Sequence, residues 1–269
     1  MNKKRIVMIS SLVVAAIALI ILGVMGCRIP SGITTSGRVP SPDYWPTTGW
    51  QTNTPEEQGI YSDKLADALL AMREQNVQIH SLLMIRNGYV VADATFYPYD
   101  GQTVHNVASV TKSVMTTLIG IAVDQGILNL DDKMVSFFPN RSIANPDERK
   151  DEITVRHLAS MSSGLNCTAE ADELTLQEME SSSDYVQFVL DRKAAWAPGE
   201  HFVYCSPAIH LLSPILQQAT GTTALDFARQ YLFEPLGIQE AMWLRDPQGY
   251  YDGWSNLSLV PHEMAKVGF

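Results

Sequence analysis

Ser109-Val110-Thr111-Lys112 places a hydroxyl and a primary amine three residues apart. If the segment is helical, side chains at that spacing share one face with Cβ atoms roughly 5–6 Å apart, close enough for the lysine to reach the serine. A serine hydroxyl is a weak nucleophile until a neighbour takes its proton, and a lysine does so where its surroundings favour the neutral amine. At the start of a helix, backbone N–H groups also favour negative charge developing on an attacked carbonyl oxygen. One short segment would then supply nucleophile, base and part of an oxyanion hole. A helix-capping serine beside a surface lysine accounts for the same residues without chemistry. Of the lysines, Lys112 alone has a serine three places before it.

A second polar constellation is Tyr204-Cys205-Ser206, the single Tyr-x-Ser or Tyr-x-Asn among ten tyrosines, following Pro198-Gly199 and preceding a helix signal near Ala208. A phenol beside a lysine can share or relay a proton, although a buried tyrosine next to a serine turn would look the same. Other common signatures are missing: there is no Gly-x-Gly-x-x-Gly, no Gly-Lys-Ser/Thr loop, no His-Glu-x-x-His helix and no Gly-x-Ser-x-Gly elbow. The usual grounds for nucleotide-binding, zinc-protease and α/β-hydrolase readings are therefore lacking. His80, His105, His157, His201, His210 and His262 show no metal-ligand spacing, so neither metal nor cofactor is assigned.

These residues need a scaffold, and 269 residues with 46% hydrophobic content suit one larger α/β domain with a sizeable core. A formal charge of −10 with 14 prolines argues against disorder, a collagen-like chain and nucleic-acid binding. The N-terminus stands apart. Lys3, Lys4 and Arg5 precede an uncharged run from Ile6 to Gly26, followed by Cys27; this reads as a signal peptide or membrane anchor over residues 1–26. Val24-Met25-Gly26-Cys27 resembles a bacterial lipobox, which would make Cys27 a lipid-attachment site; an uncleaved anchor is the alternative. Both readings export the remainder to a membrane-tethered position in a bacterial cell envelope. The leader takes three cations and no acid with it, so the acidic remainder would not bind anionic lipid by charge. In an oxidising compartment Cys167 and Cys205 can pair; two buried thiols are the alternative, and spacing does not decide.

Residues 27–58, rich in Pro, Gly, Ser and Thr, read as a linker or tether, with a domain over 59–269. Ser62 is the expected N-cap of a helix reaching about Gln75. Residues 80–86 and 89–96 are β-rich runs joined by Asn87-Gly88, a strong hairpin signal. Beyond Ser109 strand signals thin out. A buried helix is expected over 109–124 with Gly126 past its end, followed by helices over 155–161, 183–191, 208–220 and 224–232.

With these motifs in place, the sequence resembles the serine β-lactamase, penicillin-binding protein and esterase superfamily, in its class C-like branch. The resemblance is carried by Asn106-Val107-Ala108-Ser109-Val110-Thr111-Lys112-Ser113, by Thr154 to Leu165, by Pro198 to Ser206 and by Phe233-Glu234-Pro235-Leu236-Gly237-Ile238. It implies an α/β (α+β) chain of β-lactamase/transpeptidase-like architecture, an antiparallel sheet flanked by helices plus a helical region, with the cleft between them. It also implies an acyl-enzyme on Ser109, Lys112 as base, Tyr204 as proton shuttle, and Ser206 as a substrate contact where many relatives carry Asn.

One departure from the family pattern concerns its Lys/His-Thr/Ser-Gly triplet on a late strand, which this sequence lacks; Thr35-Ser36-Gly37, Ser162-Ser163-Gly164 and Ala219-Thr220-Gly221 have no leading cation. Residues 261–269 resemble a family helix that further strands follow. The resemblance therefore implies a C-terminally truncated member with an incomplete sheet. The expected function is hydrolysis of an amide or ester: a β-lactam, a D-alanyl or other cell-wall peptide, a small ester or an amide oligomer. Phe96-Tyr97-Pro98-Tyr99-Asp100 leans toward the esterase and amide-oligomer side. A non-catalytic cell-wall-binding or structural lipoprotein that keeps part of the fold is the alternative.

Overall fold

The computed structural model describes residues 44–168 and 173–269. The leader, Cys27 and the first part of the expected linker lie outside the described residues. Among the described residues no helix is long and apolar enough to cross a membrane. The chain forms two compact units, one comprising the described residues up to Gln102 with Phe269 and the other Thr103–Gly268.

In the first unit, β1 (Gln51–Thr52), α1 (Ser62–Glu74), β2 (Ser81–Arg86) and β3 (Tyr89–Thr95) follow in order. The sheet order is β1-β3-β2. The expected hairpin is present, pairing Ser81 with Thr95 and Arg86 with Tyr89. Asn87 and Gly88 both have positive φ, 50° and 85°, as a two-residue turn matching the strand twist requires. The register shifts between Met84 and Ile85. Two expectations are corrected. Gln51 and Thr52, read as tether, pair in parallel with Tyr89 and Val90, so the sheet is not purely antiparallel and the hairpin has its third strand. Tyr44 reinforces this edge, its hydroxyl donating to the Gly88 carbonyl and accepting from the Gln51 N–H. Ser62 is the first helical residue rather than the cap; the Glu56 carboxylate accepts from its N–H at 3.1 Å.

The second unit opens with β4 (His105–Asn106) and runs into α2 (Val110–Asp124). Val114, Met115, Leu118, Ile119 and Ala122 recur at helical spacing and are fully buried, which makes α2 the axis of the core. Gly126, at φ 71°, follows its last turn. Next come α3 (Val155–Ala159), α4 (Leu174–Glu180), α5 (Tyr185–Leu190), α6 (Ser206–His210), α7 (Leu212–Thr220) and α8 (Ala224–Ala228). Helix α3 starts on a capping box: Thr154 accepts from the His157 N–H, and the His157 ring accepts from the Thr154 N–H, which gives His157 a structural task.

The helix expected over 208–220 is broken at Leu211. Pro214 has no N–H to offer the carbonyl four residues back, that of His210, so one continuous helix is interrupted there. The helix expected to stop at Leu232 instead widens into a π turn over Arg229–Phe233 and ends in a short turn at Glu234–Leu236. The sequence also concealed a second sheet, β4-β6-β5, in which β5 (Met242–Trp243) and β4 each pair antiparallel with β6 (Leu257–Leu259). Strands of two or three residues are too short to show a period of two. Helix α9 (Pro261–Gly268) follows.

Gly164 illustrates how tightly this unit is packed. Its φ is 76°, and a Cβ there would meet the Trp196 carbonyl oxygen at 2.4 Å, while its own carbonyl accepts from the Ala195 and Trp196 N–H groups. Gly164→Ala is expected to cost about 2 kcal/mol or more from left-handed strain and backbone collision together. Chemical denaturation would check this; an unchanged unfolding midpoint would refute it.

Candidate active site

Ser109 sits at the entry to α2 on a turn that is held from several sides. Ala108, just before it, adopts φ 47°, a left-handed conformation unfavourable for an alanine. Asn106 stabilises the turn: its carbonyl oxygen accepts from the Ala108 N–H at 2.8 Å and its amide donates to Asn256 at 2.9 Å. Val107 N–H donates to Leu257 of β6. The small second sheet therefore fixes where α2 begins.

The Ser109 side chain is exposed and does not cap its helix, so the capping alternative fails. Its Oγ receives Lys112 Nζ at 3.0 Å and Tyr204 Oη at 2.6 Å. Lys112 is only 4% exposed. Its Nζ also donates to the Trp254 carbonyl at 2.8 Å, lies 4.8 Å from the Tyr204 ring centre and 5.9 Å from that of Trp254. Among the described residues no carboxylate forms an ion pair with it. Such an amine is held by a hydroxyl, a carbonyl and two aromatic faces, groups that orient it without fixing a formal charge beside it.

Tyr204 reaches the site from the segment preceding α6. Val203 N–H donates to the Met161 carbonyl and Gly199 N–H to that of Ser162. Cys205 is bonded to Cys167, with Cα atoms 5.7 Å apart. The structure thus pairs the two cysteines whose state the sequence left open, directly beside the tyrosine.

Ser206 departs from expectation. It is fully buried at the first position of α6, and its Oγ has no hydrogen-bond partner. It makes no hydrogen bond to Lys112 and, being fully buried, presents no surface to a substrate. The expected lipid attachment at Cys27 lies outside the described residues. Among the described residues no group of three or more His, Cys, Asp or Glu side chains is arranged to hold a metal.

One participant was invisible in the sequence. Trp254 contributes a main-chain carbonyl, which any residue could supply. Asp252, two residues earlier, is 5% exposed; one carboxylate oxygen accepts from the Asn256 amide at 2.7 Å, and the other is buried without a partner. Burial raises its carboxyl above the ordinary aspartate range, the Asn256 hydrogen bond opposing. Burial and then Asp252 likewise raise Glu180 and Tyr185. Because the native form holds the Asp252 proton more tightly than the unfolded chain, its contribution to stability falls as pH rises through the interval between the two values. Asp252→Asn, which keeps the acceptor for Asn256, is expected to raise the melting temperature at neutral pH, with the gain vanishing below pH ~4. A variant less stable than the parent at neutral pH would contradict this account.

Residues 63–256, more than half of the chain, match the family model described as Beta-lactamase. The chain is 28% identical over 153 residues to a beta-lactamase of Escherichia coli, a match covering 56% of this chain and 37% of that protein. It is 23% identical over 230 residues to the 6-aminohexanoate-dimer hydrolase of Paenarthrobacter ureafaciens, covering 80% and 58%. Among solved structures it is similar to the octameric penicillin-binding protein homologue from Pyrococcus abyssi, with a TM-score of 0.61 at 22% identity over 77% of this chain and 55% of that one. The chain spans less than two thirds of the length of these relatives. With the mixed helix-and-sheet fold and the match across both motifs, the chain belongs to the beta-lactamase family.

Proposed function

We propose that this chain carries the nucleophile of a serine hydrolase that cleaves an amide or ester through an acyl-enzyme on Ser109. The observation that carries the reading is the convergence of Lys112 Nζ and Tyr204 Oη on an exposed Ser109 Oγ at 3.0 and 2.6 Å. In the acylation step Ser109 Oγ forms a bond to the substrate carbonyl carbon as its proton passes to Lys112. The carbonyl π electrons move onto oxygen, where the N-terminus of α2 favours the negative charge. Collapse of that intermediate breaks the bond to the amine or alcohol, which leaves with a proton returned through Tyr204. Water then attacks the acyl carbon by the same route in reverse order, releasing the acid and restoring Ser109.

The names of the relatives support amides as the substrate class: a beta-lactamase and a hydrolase of an aminohexanoate dimer both stand among them. Ser206, being buried, has no part in this scheme. We further infer export to a cell envelope, supported by the basic and apolar leader and by Cys27; the Cys167–Cys205 bond suits an oxidising compartment.

A fluorophosphonate probe followed by peptide mass spectrometry is expected to label Ser109 and no other serine, with labelling abolished in Ser109→Ala. Lys112→Met should slow it by roughly 10²–10⁴, the range for loss of a positioned base. Labelling elsewhere, or at parental rate without Lys112, would reject the assignment, and a folded chain that takes no probe would favour a binding role. For the tether, radiolabelled fatty acid supplied to expressing cells is expected on the parent chain and absent from Cys27→Ala; label on neither would favour the uncleaved anchor.

A further inference from the structure

A second buried polar pair lies behind the site and is used by nothing in the scheme above. His210, the last residue of α6, is 0% exposed, and its Nε2 is 3.0 Å from Asp246 Oδ2, whose side chain is equally buried. The opposite ring nitrogen, Nδ1, accepts from the Gly253 N–H at 3.3 Å. A neutral imidazole has one donor and one acceptor, so accepting at Nδ1 places the proton on Nε2, where it is donated to Asp246. The other Asp246 oxygen accepts from the Gln248 and Tyr250 N–H groups at 2.8 Å each. Asp246 therefore gathers the turn between β5 and β6 and sets the tautomer of His210, which in turn grips Gly253.

The grip matters because of the next residue. Trp254 supplies the carbonyl that orients Lys112 Nζ. Gly253 lies so close to α6 that a Cβ would meet the Ile209 and His210 carbonyl oxygens at 3.1 Å. Helix α6 thus starts beside Tyr204 and ends on the loop that holds Lys112, tying both partners of Ser109 to one five-residue element. Resting on the hydrolase reading, we propose that His210 and Asp246 are positioning residues for Lys112, acting through the hydrogen bond from Gly253 and the carbonyl of Trp254.

Asp246→Asn tests this with almost no change of shape. The new amide offers a donor to His210 Nε2, which favours the tautomer with its proton on Nδ1 and sets that proton against the Gly253 N–H. The expected result is a folded full-length chain in which the nitrogen NMR signal of the isotope-labelled Lys112 amine moves and fluorophosphonate labelling of Ser109 slows on the order of tenfold to a hundredfold, as for a misplaced catalytic group. Gly253→Ala, which presses the loop away from α6 while leaving His210 and Asp246 intact, should move the same signal and slow the same reaction, and it serves if the first variant does not fold. A lowered melting temperature with the Lys112 signal and labelling rate unchanged would reduce the pair to a structural role and overturn the proposal. If the parent chain takes no probe, the hydrolase reading falls separately, while the Lys112 signal still decides the coupling.

Discussion

The arrangement depends on keeping one amine out of water. Lys112 is buried in the first turn of the central helix, where an unpartnered polar group costs on the order of 1–3 kcal/mol or more, so its surroundings must supply acceptors in fixed places. Ser109 Oγ is one and the Trp254 carbonyl the other. The first requires a turn with Ala108 in a left-handed conformation, braced by Asn106 and the second sheet. The second requires the loop between β5 and β6 to approach α6 closely. Apolar residues of α2, α6 and α7 belong to one buried core cluster and give these two acceptors their frame.

The closeness of Ser109 and Lys112 could be read from the sequence because a helix converts spacing into proximity without help from distant residues. Tyr204 stood out as a Tyr-x-Ser, but its place beside Ser109 came only through resemblance: ninety-five residues separate the two, and no local rule brings them together. Ser206 was misread for a related reason. A motif says which residue type occupies a position but not which way its side chain turns, and here it turns into the core. Trp254 was beyond reach altogether, since a main-chain carbonyl leaves no mark in residue identity.

The fold shows the same division. The hairpin announced itself through Asn87-Gly88, and the apolar stripe of α2 through its period. The parallel partner of β3 was concealed in a stretch whose composition suits a tether, because two residues of pairing need no hydrophobic pattern. The interruption between α6 and α7 was legible in principle from Pro214, but the apolar residues on both sides favoured one continuous helix.

That interruption has a wider bearing. A continuous helix would direct the His210 carbonyl along the axis to the residue four places on; with Pro214 there it has no such partner, and Gly253 lies against this same face. By helix propensity alone, replacing Pro214 with a better helix former looks like an improvement, as does adding a side chain at Gly253 to stiffen the loop. A Cβ at Gly253 would meet the Ile209 and His210 carbonyl oxygens at 3.1 Å, and an N–H at position 214 would draw the His210 carbonyl back along the helix axis. Two residues without a reactive side-chain atom thus shape how the loop meets α6, and stabilising designs that score residues one at a time would select against them.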